Sequence, residues 1–116
     1  MENTMEVTTQ MFDRTTVVRV IGSVDGLTAE TLTGALQSHV DEGRINLVCD
    51  LSGVDYTSSA GLRALLGTLK AARQQGGDFR LAAVQPGVHR ILELSGFTSI
   101  LKLYGDVDAA VASFAV

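Results

Sequence analysis

The stretch Cys49-Asp-Leu-Ser-Gly-Val-Asp-Tyr-Thr-Ser-Ser-Ala-Gly-Leu-Arg-Ala-Leu-Leu66 decides the fold, because it joins a buried strand, a polar turn and the start of a helix. The strand, predicted over residues 45–51, is a nearly unbroken apolar run, which is typical of parallel strands covered on both faces. The helix, predicted over residues 61–75, carries leucines at spacings of three and four residues, which gives it one apolar face. We therefore expect an α/β protein in which this helix follows a central strand.

Three consecutive hydroxyl residues, Thr57, Ser58 and Ser59, lie between this strand and this helix. A hydroxyl group at a helix N-cap accepts hydrogen bonds from the free backbone N–H groups of the first turn, and one of the three is predicted to do so. A single cap does not need three hydroxyl groups. The same N–H groups and the helix dipole also favour a phosphate, so one of these residues is a candidate phosphorylation site.

Length, charge and cysteine content exclude several classes of protein. The 116 residues predict one domain, 1–116. With 13 acidic and 9 basic residues, the chain lacks the basic stripe expected of a protein that binds nucleic acid. Cys49 is the only cysteine, so no disulfide forms within the chain, which fits a cytoplasmic protein. No apolar run reaches the roughly 20 residues that cross a bilayer, and we expect neither membrane insertion nor a signal peptide.

Strands and helices alternate along the rest of the chain. The order β-β-α-β-α-β-α-β-α predicts a mixed, mostly parallel sheet of about five strands with about four helices, the opening hairpin at one edge and Cys49 buried. Asp25 and Thr28 are candidate caps of the first helix, which ends near Glu42, and Asp106 caps the last helix. The predicted strands are 5–12, 15–21, 45–51, 79–84 and 100–103, and the later helices are predicted to follow the turn 85–87 and Asp106.

The titratable residues do not indicate an enzyme. No histidine lies in a motif that could activate Ser58 or Ser59, and the glycine-rich stretches match no phosphate-binding loop. Asp50 is predicted to end its strand and Asp55 to belong to the polar turn. His39 is expected to be partly buried and hydrogen-bonded, and His89 to be solvated. No second histidine or cysteine lies at metal-binding spacing, so we predict no metal, no cofactor and no catalytic residue.

The stretch from Asp50 to Leu66 resembles the signature of STAS domains, and above all that of the bacterial anti-sigma factor antagonists, or anti-anti-sigma factors. Two further segments carry the resemblance, Gly22-Ser-Val-Asp25 before the first helix and Val88-His-Arg-Ile-Leu-Glu-Leu-Ser-Gly-Phe97 near the end. The resemblance covers nearly the whole chain. It implies the STAS fold, which has the element order predicted above.

The resemblance also implies a mechanism, partner switching. In these antagonists the unphosphorylated protein binds an anti-sigma factor, which is usually also a serine kinase, and thereby frees a sigma factor. Phosphorylation of a serine at the start of the helix dissociates the complex, and a serine phosphatase resets it. The phosphoacceptor lies two residues before the Gly-Leu pair, which is Ser59 in this sequence. Ser58 stands where the family commonly has an acidic residue, a departure that bears on how a kinase would recognise the site.

The predicted binding surface comprises the turn 55–61, the loop around Asp25, and the outer face of the helix with Arg63, Lys70 and Arg73. Asp25 matches an acidic residue that family members use near the acceptor, and capping of the first helix is its alternative role. Two other functions stay open: a STAS domain that acts as a scaffold or transport-system subunit without phosphorylation, and one that binds a nucleotide or lipid. The predicted partner-binding residues are Asp25, Thr57, Ser58, Ser59, Gly61 and Arg63.

Overall fold

In the computed structural model, which describes residues 5–115, an opening hairpin is followed by alternating helices and strands. The strands are β1 (Glu6–Phe12), β2 (Thr15–Ile21), β3 (Asn46–Gly53), β4 (Asp78–Ala82) and β5 (Leu103–Tyr104), and the helices are α1 (Thr28–Asp41), α2 (Ser59–Gln74), α3 (Pro86–Leu94) and α4 (Val107–Ser113). The sheet order is β1-β2-β3-β4-β5, antiparallel between β1 and β2 and parallel at every other pair. The predicted α/β class, the mixed sheet and the hairpin at its edge are therefore confirmed.

Two apolar layers of unequal size cover the sheet. Successive side chains of a strand point to opposite faces, and in β3 both sets are buried. Leu47, Cys49 and Leu51 belong to the large core that includes residues of α1, α2 and α3. Val48 belongs to a smaller cluster with Ala110 of α4. The apolar run of β3 therefore has the cause predicted for it, burial on both faces, and the burial of Cys49 is confirmed.

The central strand is longer than predicted, and Asp50 does not end it. β3 continues to Gly53, and Asp50 pairs with Arg19 of β2 and Ala82 of β4. A carboxylate is tolerated at this buried position because it is satisfied, since its Oδ1 accepts a hydrogen bond from the Ser52 backbone N–H at 2.9 Å. Its Oδ2 also lies 3.8 Å from Nε of Arg19.

The strand predicted over residues 100–103 is largely wrong. β5 contains two residues, Leu103 and Tyr104, and the preceding Phe97–Ser99 forms a turn of 3-10 helix. Leu101 is buried in the large core, and the Ile100 carbonyl accepts a hydrogen bond from Arg73 at 3.0 Å. Hydrogen bonding to β4 starts only at Lys102, through its backbone carbonyl. Leu101 is therefore apolar because it fills the core, and only Leu103 of the predicted strand pairs with β4.

Other element boundaries differ from the predicted ones for local reasons. α2 begins at Ser59 rather than at Gly61, because Ser58 caps it. α3 begins at Pro86, inside the predicted turn 85–87, since proline at the first helical position lacks only an N–H group that would have no helical partner. β4 ends at Ala82, two residues early, because Ala83 takes a left-handed φ of 56°. The predicted cap of α4 is confirmed, since Asp106 Oδ1 accepts a hydrogen bond from Ala109 N at 2.7 Å.

Candidate functional site

Two loops at the carboxyl ends of β2 and β3 are bonded to each other and form the base of the site. Val24 and Thr57 make a parallel bridge outside the named strands. The Val24 backbone N–H donates to the Tyr56 carbonyl at 2.9 Å, and the Ser58 N–H donates to the Val24 carbonyl at 2.7 Å. These bonds hold the loop that contains Asp25 against the start of α2, although about 30 residues separate the two in the sequence.

The three consecutive hydroxyl residues have three different environments. Thr57 is buried, with 6% of its surface exposed. Ser58 is the N-cap of α2, and its Oγ accepts a hydrogen bond from the Gly61 backbone N–H at 3.2 Å. Ser59 is the first residue of the helix and is exposed, and its side chain forms no hydrogen bond within residues 5–115. The expectation that one of the three caps the helix is confirmed, and the capping residue is Ser58.

Gly61 allows this helix start to approach the neighbouring loop closely. A Cβ atom at Gly61 would lie 2.2 Å from Oγ1 of Thr57 and 2.7 Å from Cγ1 of Val24. Both Thr57 and Gly61 are therefore beneath the surface, although they were predicted to be partner-binding residues. Their burial shows that they support the turn, and their predicted contact with a partner stays a prediction.

Asp25 caps the start of α1. Its Oδ1 accepts hydrogen bonds from the backbone N–H groups of Leu27 and Thr28, both at 2.9 Å. Thr28 completes the arrangement, because its hydroxyl accepts from the Asp25 N–H and donates to the Ser23 carbonyl, each at 2.9 Å. Asp25 thus satisfies backbone N–H groups at the start of α1, whereas Thr28 is the first residue of the helix and Leu27, directly before it, forms no side-chain capping bond. Asp25 is also half-buried at the surface beside the Ser58 turn, which leaves its predicted partner contact as a prediction.

The basic residues predicted for the outer face of α2 are not equivalent. Arg63 lies one turn after Ser59 on the same face, and both Arg63 and Lys70 are exposed. Arg73 is instead tied to its own domain, since its Nε donates to Asp78 Oδ1 at 2.9 Å. Burial by itself would raise the pKa of Asp78, but hydrogen bonds from Arg80 and Arg73 hold that pKa below its usual value. Arg73 is thus paired within its own domain although 45% of its side chain is exposed, and its predicted place on the binding surface stays a prediction.

Two exposed apolar side chains lie in the two predicted loops, although the sequence did not single them out. Leu27, just before α1, is 85% exposed, and Tyr56, in the turn before α2, is 49% exposed. A groove between α1 and α2 lies next to them, and small residues, among them Gly26, Ala60 and Gly67, line it together with Arg63. An apolar residue inside a short polar loop is the signal that could have identified Leu27. We name the set Asp25, Leu27, Tyr56, Ser58, Ser59 and Arg63 the Ser59 surface.

Catalytic and metal chemistry has no counterpart in the described part of the chain. Among residues 5–115, no group of three or more His, Cys, Asp or Glu side chains is arranged to hold a metal ion. Burial, with a smaller effect from Asp50, raises the pKa of the Cys49 thiol to about 12, so the thiolate that would react as a nucleophile is not formed at neutral pH. Within the same residues, no helix combines the length and the apolar character needed to cross a membrane.

Comparison with known proteins identifies the family. The family model for the STAS domain matches residues 6–110. The chain belongs to the STAS-domain family. Among the relatives of this STAS domain is BtrV of Bordetella bronchiseptica, a candidate anti-sigma factor antagonist, which is 37% identical over 110 residues that make up 95% of each chain. The anti-sigma-B factor antagonist of Staphylococcus aureus is 30% identical over 85% of this chain and 90% of its own.

Solved STAS-domain structures show the same fold. The crystal structure of an anti-sigma factor antagonist from Mycobacterium paratuberculosis superimposes with a TM-score of 0.89 at 29% identity, covering 97% of this chain and 96% of the other. The named relatives are antagonists of anti-sigma factors, which are regulatory proteins and not enzymes. The prediction that this chain is not an enzyme agrees with these relatives.

Proposed function

We propose that this protein is a cytoplasmic anti-sigma factor antagonist that binds its anti-sigma factor through the Ser59 surface. In this proposal the bound anti-sigma factor is a serine kinase, its capture releases a sigma factor, and phosphorylation of Ser59 reverses the capture. A serine phosphatase would restore the binding-competent form. The names of the relatives support the role of antagonist, and the phosphorylation step rests on Ser59 itself.

One observation carries the choice of Ser59: of the three hydroxyl groups, only that of Ser59 is both exposed and uncommitted within residues 5–115. Thr57 is buried, and a kinase could reach its hydroxyl only by opening the turn. The Ser58 hydroxyl already accepts the capping hydrogen bond, and modifying it would disturb that cap. Ser59 also stands on the first turn of a regular helix, which presents its hydroxyl group in a fixed direction.

A phosphate on Ser59 would not destabilise the folded domain, but it would weaken the binding of a partner. A phosphoserine carries about −1.5 to −2 charges at neutral pH. At a helix N-terminus, the dipole and the free N–H groups favour negative charge by about 0.3–1 kcal/mol. At an interface, a desolvated and unpaired charge costs about 2–5 kcal/mol, or a loss of roughly 30-fold to several thousand-fold in affinity. Phosphorylation would therefore leave the fold intact and release the partner.

The test is to incubate the protein with ATP and its cognate anti-sigma kinase and to locate the phosphate by mass spectrometry. We expect modification of Ser59, no modification of Ser59→Ala, and continued modification of Ser58→Ala, provided that the latter still folds by circular dichroism. Ser59→Ala should still bind the kinase. Ser59→Asp should bind it at least about tenfold more weakly, because the aspartate carries part of the charge of a phosphate. Phosphate on Ser58 or Thr57 would overturn the choice of Ser59, and the absence of any phosphate would favour the phosphorylation-independent scaffold.

A further inference from the structure

The two edges of the sheet differ in length, and the long one is open. Among residues 5–115, β5 ends the sheet with two residues, whereas β1 has seven residues, all paired with β2 on one side only. An edge strand presents unpaired backbone N–H and C=O groups on its free side, where they can pair with another strand. Shortening of an edge strand is one of the ways in which proteins prevent such pairing, and it is applied to β5 but not to β1.

β1 also lacks the other features that protect an edge strand. It contains no proline and no lysine, and no charged residue occurs between Glu6 and Phe12. Its register with β2 runs without a bulge from Glu6 to Phe12. Met11 is 55% exposed and Phe12 is 36% exposed, so apolar surface lies along the same strand. These properties suit the addition of one more strand at this edge.

The charges at the ends of β1 point to a second copy of the chain as the added strand. We propose that two copies pair through β1, antiparallel about a two-fold axis at Gln10, to form a ten-stranded sheet. Residues opposite one another in such a pair must point to the same face, so even-numbered residues oppose even-numbered ones. With Gln10 on the axis, Thr8 opposes Phe12, and Glu6 lies just beyond the end of the other copy's β1, beside the hairpin turn that contains Arg14.

This register is self-complementary. Glu6 and Arg14 are both exposed and opposite in charge, and the symmetry brings them together twice, once at each end of the pair. The Gln10 amide carries both donors and an acceptor, so two copies of it can hydrogen-bond across the axis. In the neighbouring register, with Thr9 on the axis, Glu6 would face Phe12 and the charged pairs would be lost. The surface involved contains no residue of the Ser59 surface, so the inference does not depend on the proposed function.

The experiment measures self-association of the full chain by sedimentation equilibrium at low ionic strength. We expect a monomer–dimer equilibrium between about 5 and 500 μM, as suits a small interface. Glu6→Arg and Arg14→Glu should each raise the dissociation constant at least about fivefold, because each replaces attraction by repulsion at both ends of the pair. The double variant should return to within about twofold of the parent, since the charges again match.

Glu30→Arg is the matched control, because it makes the same charge change at an exposed position of α1 and should leave the dissociation constant unchanged. Thermal denaturation checks that each variant is folded. A protein that stays monomeric throughout the concentration range would overturn the proposal, including the case in which β1 accepts a strand of another protein only. A dimer that responds equally to Glu6→Arg and Glu30→Arg, or that the double variant does not restore, would place the contact elsewhere.

Discussion

At the scale of single residues, neighbouring side chains of one chemical type have separate tasks. Thr57 fills space beneath the turn, Ser58 caps α2, and Ser59 faces solvent. The difference arises from the helix start itself, because the cap residue turns its side chain back to the helix while the next residue points outward. Of the three hydroxyl residues, Ser59 is thus exposed, Ser58 is half-buried and Thr57 is buried.

Gly61 tests how closely this helix start is packed. Gly61→Ala should lower the free energy of unfolding by about 1–3 kcal/mol, because its Cβ would overlap Thr57 and Val24. Gly67→Ala is the matched control in the same helix, where no atom lies within 4 Å of the added Cβ. It should raise stability by about 0.5–1 kcal/mol, since alanine favours the helix. Urea denaturation measures both, and equal effects would contradict the close packing at Gly61.

Arg63 tests whether the outer face of α2 belongs to the binding surface. Arg63→Glu should weaken binding of the anti-sigma factor at least about tenfold, because a reversed charge at an interface meets groups that complement the arginine. Its melting temperature should stay unchanged, since the side chain is exposed. Arg90→Glu makes the same reversal on the exposed side of α3 and should bind normally. Calorimetric titration measures the affinity of each variant. If Arg63→Glu bound as tightly as the parent protein, Arg63 would not belong to the interface.

At the scale of secondary-structure elements, His39 joins the last turn of α1 to β1. Its Nδ1 accepts a hydrogen bond from Nε of Arg44 at 2.8 Å, so the proton of the neutral ring lies on Nε2, which is 3.2 Å from Oγ1 of Thr9. Burial lowers the pKa of His39, Arg44 lowers it further, and Glu42 acts in the opposite direction. This confirms the expectation of a partly buried, hydrogen-bonded histidine. His89 is 45% exposed and lies 3.0 Å from Glu93, near the surface as expected.

The contact between α1 and β1 should make stability depend on pH. The unfolded chain protonates a histidine near pH 6.5, whereas the folded protein holds His39 neutral to a lower pH. The unfolded state therefore binds more protons below about pH 6.5, and the free energy of unfolding should fall as the pH decreases from there. Urea denaturation at several pH values between about 5.5 and 7.5 measures the slope. His39→Gln should have a smaller slope, and an identical slope in both proteins would exclude His39 as its source.

At the scale of the whole molecule, the parallel sheet brings the parts of the Ser59 surface together. In parallel sheets the carboxyl ends of neighbouring strands lie at one edge, where ligands and partners commonly bind. β2 leads into the Asp25 loop and β3 into the serine turn, and these strands are neighbours in the sheet. The loops that carry this surface are therefore anchored to adjacent strands, as the proposed switch would require in both of its states.

Cys49 reports on the integrity of this sheet. Its side chain is fully buried in β3 and its pKa is about 12, so a thiol reagent can reach the reactive thiolate only when the core opens. Labelling in native buffer should be at least about a thousandfold slower than in denaturant, since folded domains open globally that rarely. Absorbance of the released thiol reagent measures both rates. Equal rates would mean that the assignment of β3 to the core is wrong.

The sequence by itself determined the class of fold and the order of elements, and it predicted a binding surface at the turn between β3 and α2. Apolar periodicity identifies β3 and α2 because burial demands it, and glycine or hydroxyl residues mark the turns between them. It predicted a strand at residues 100–103 for the same reason, since an apolar run looks alike whether it pairs with a strand or fills a core. The local sequence pattern indicates that a side chain is buried, but it does not indicate which part of the protein covers that side chain.

Only the tertiary structure decided which hydroxyl group is accessible and which basic residue is free. Ser58 and Ser59 are the same type of residue, and their environments differ because the helix begins between them. Arg73 looks as exposed as Arg63 in the helical pattern, yet Asp78 and the Ile100 carbonyl, five and 27 residues away, bind it. The close packing at Gly61 likewise depends on Val24, which lies on the other side of the bridge between the two loops. Contacts between distant parts of the chain arise only when the sheet assembles, and no local pattern contains them.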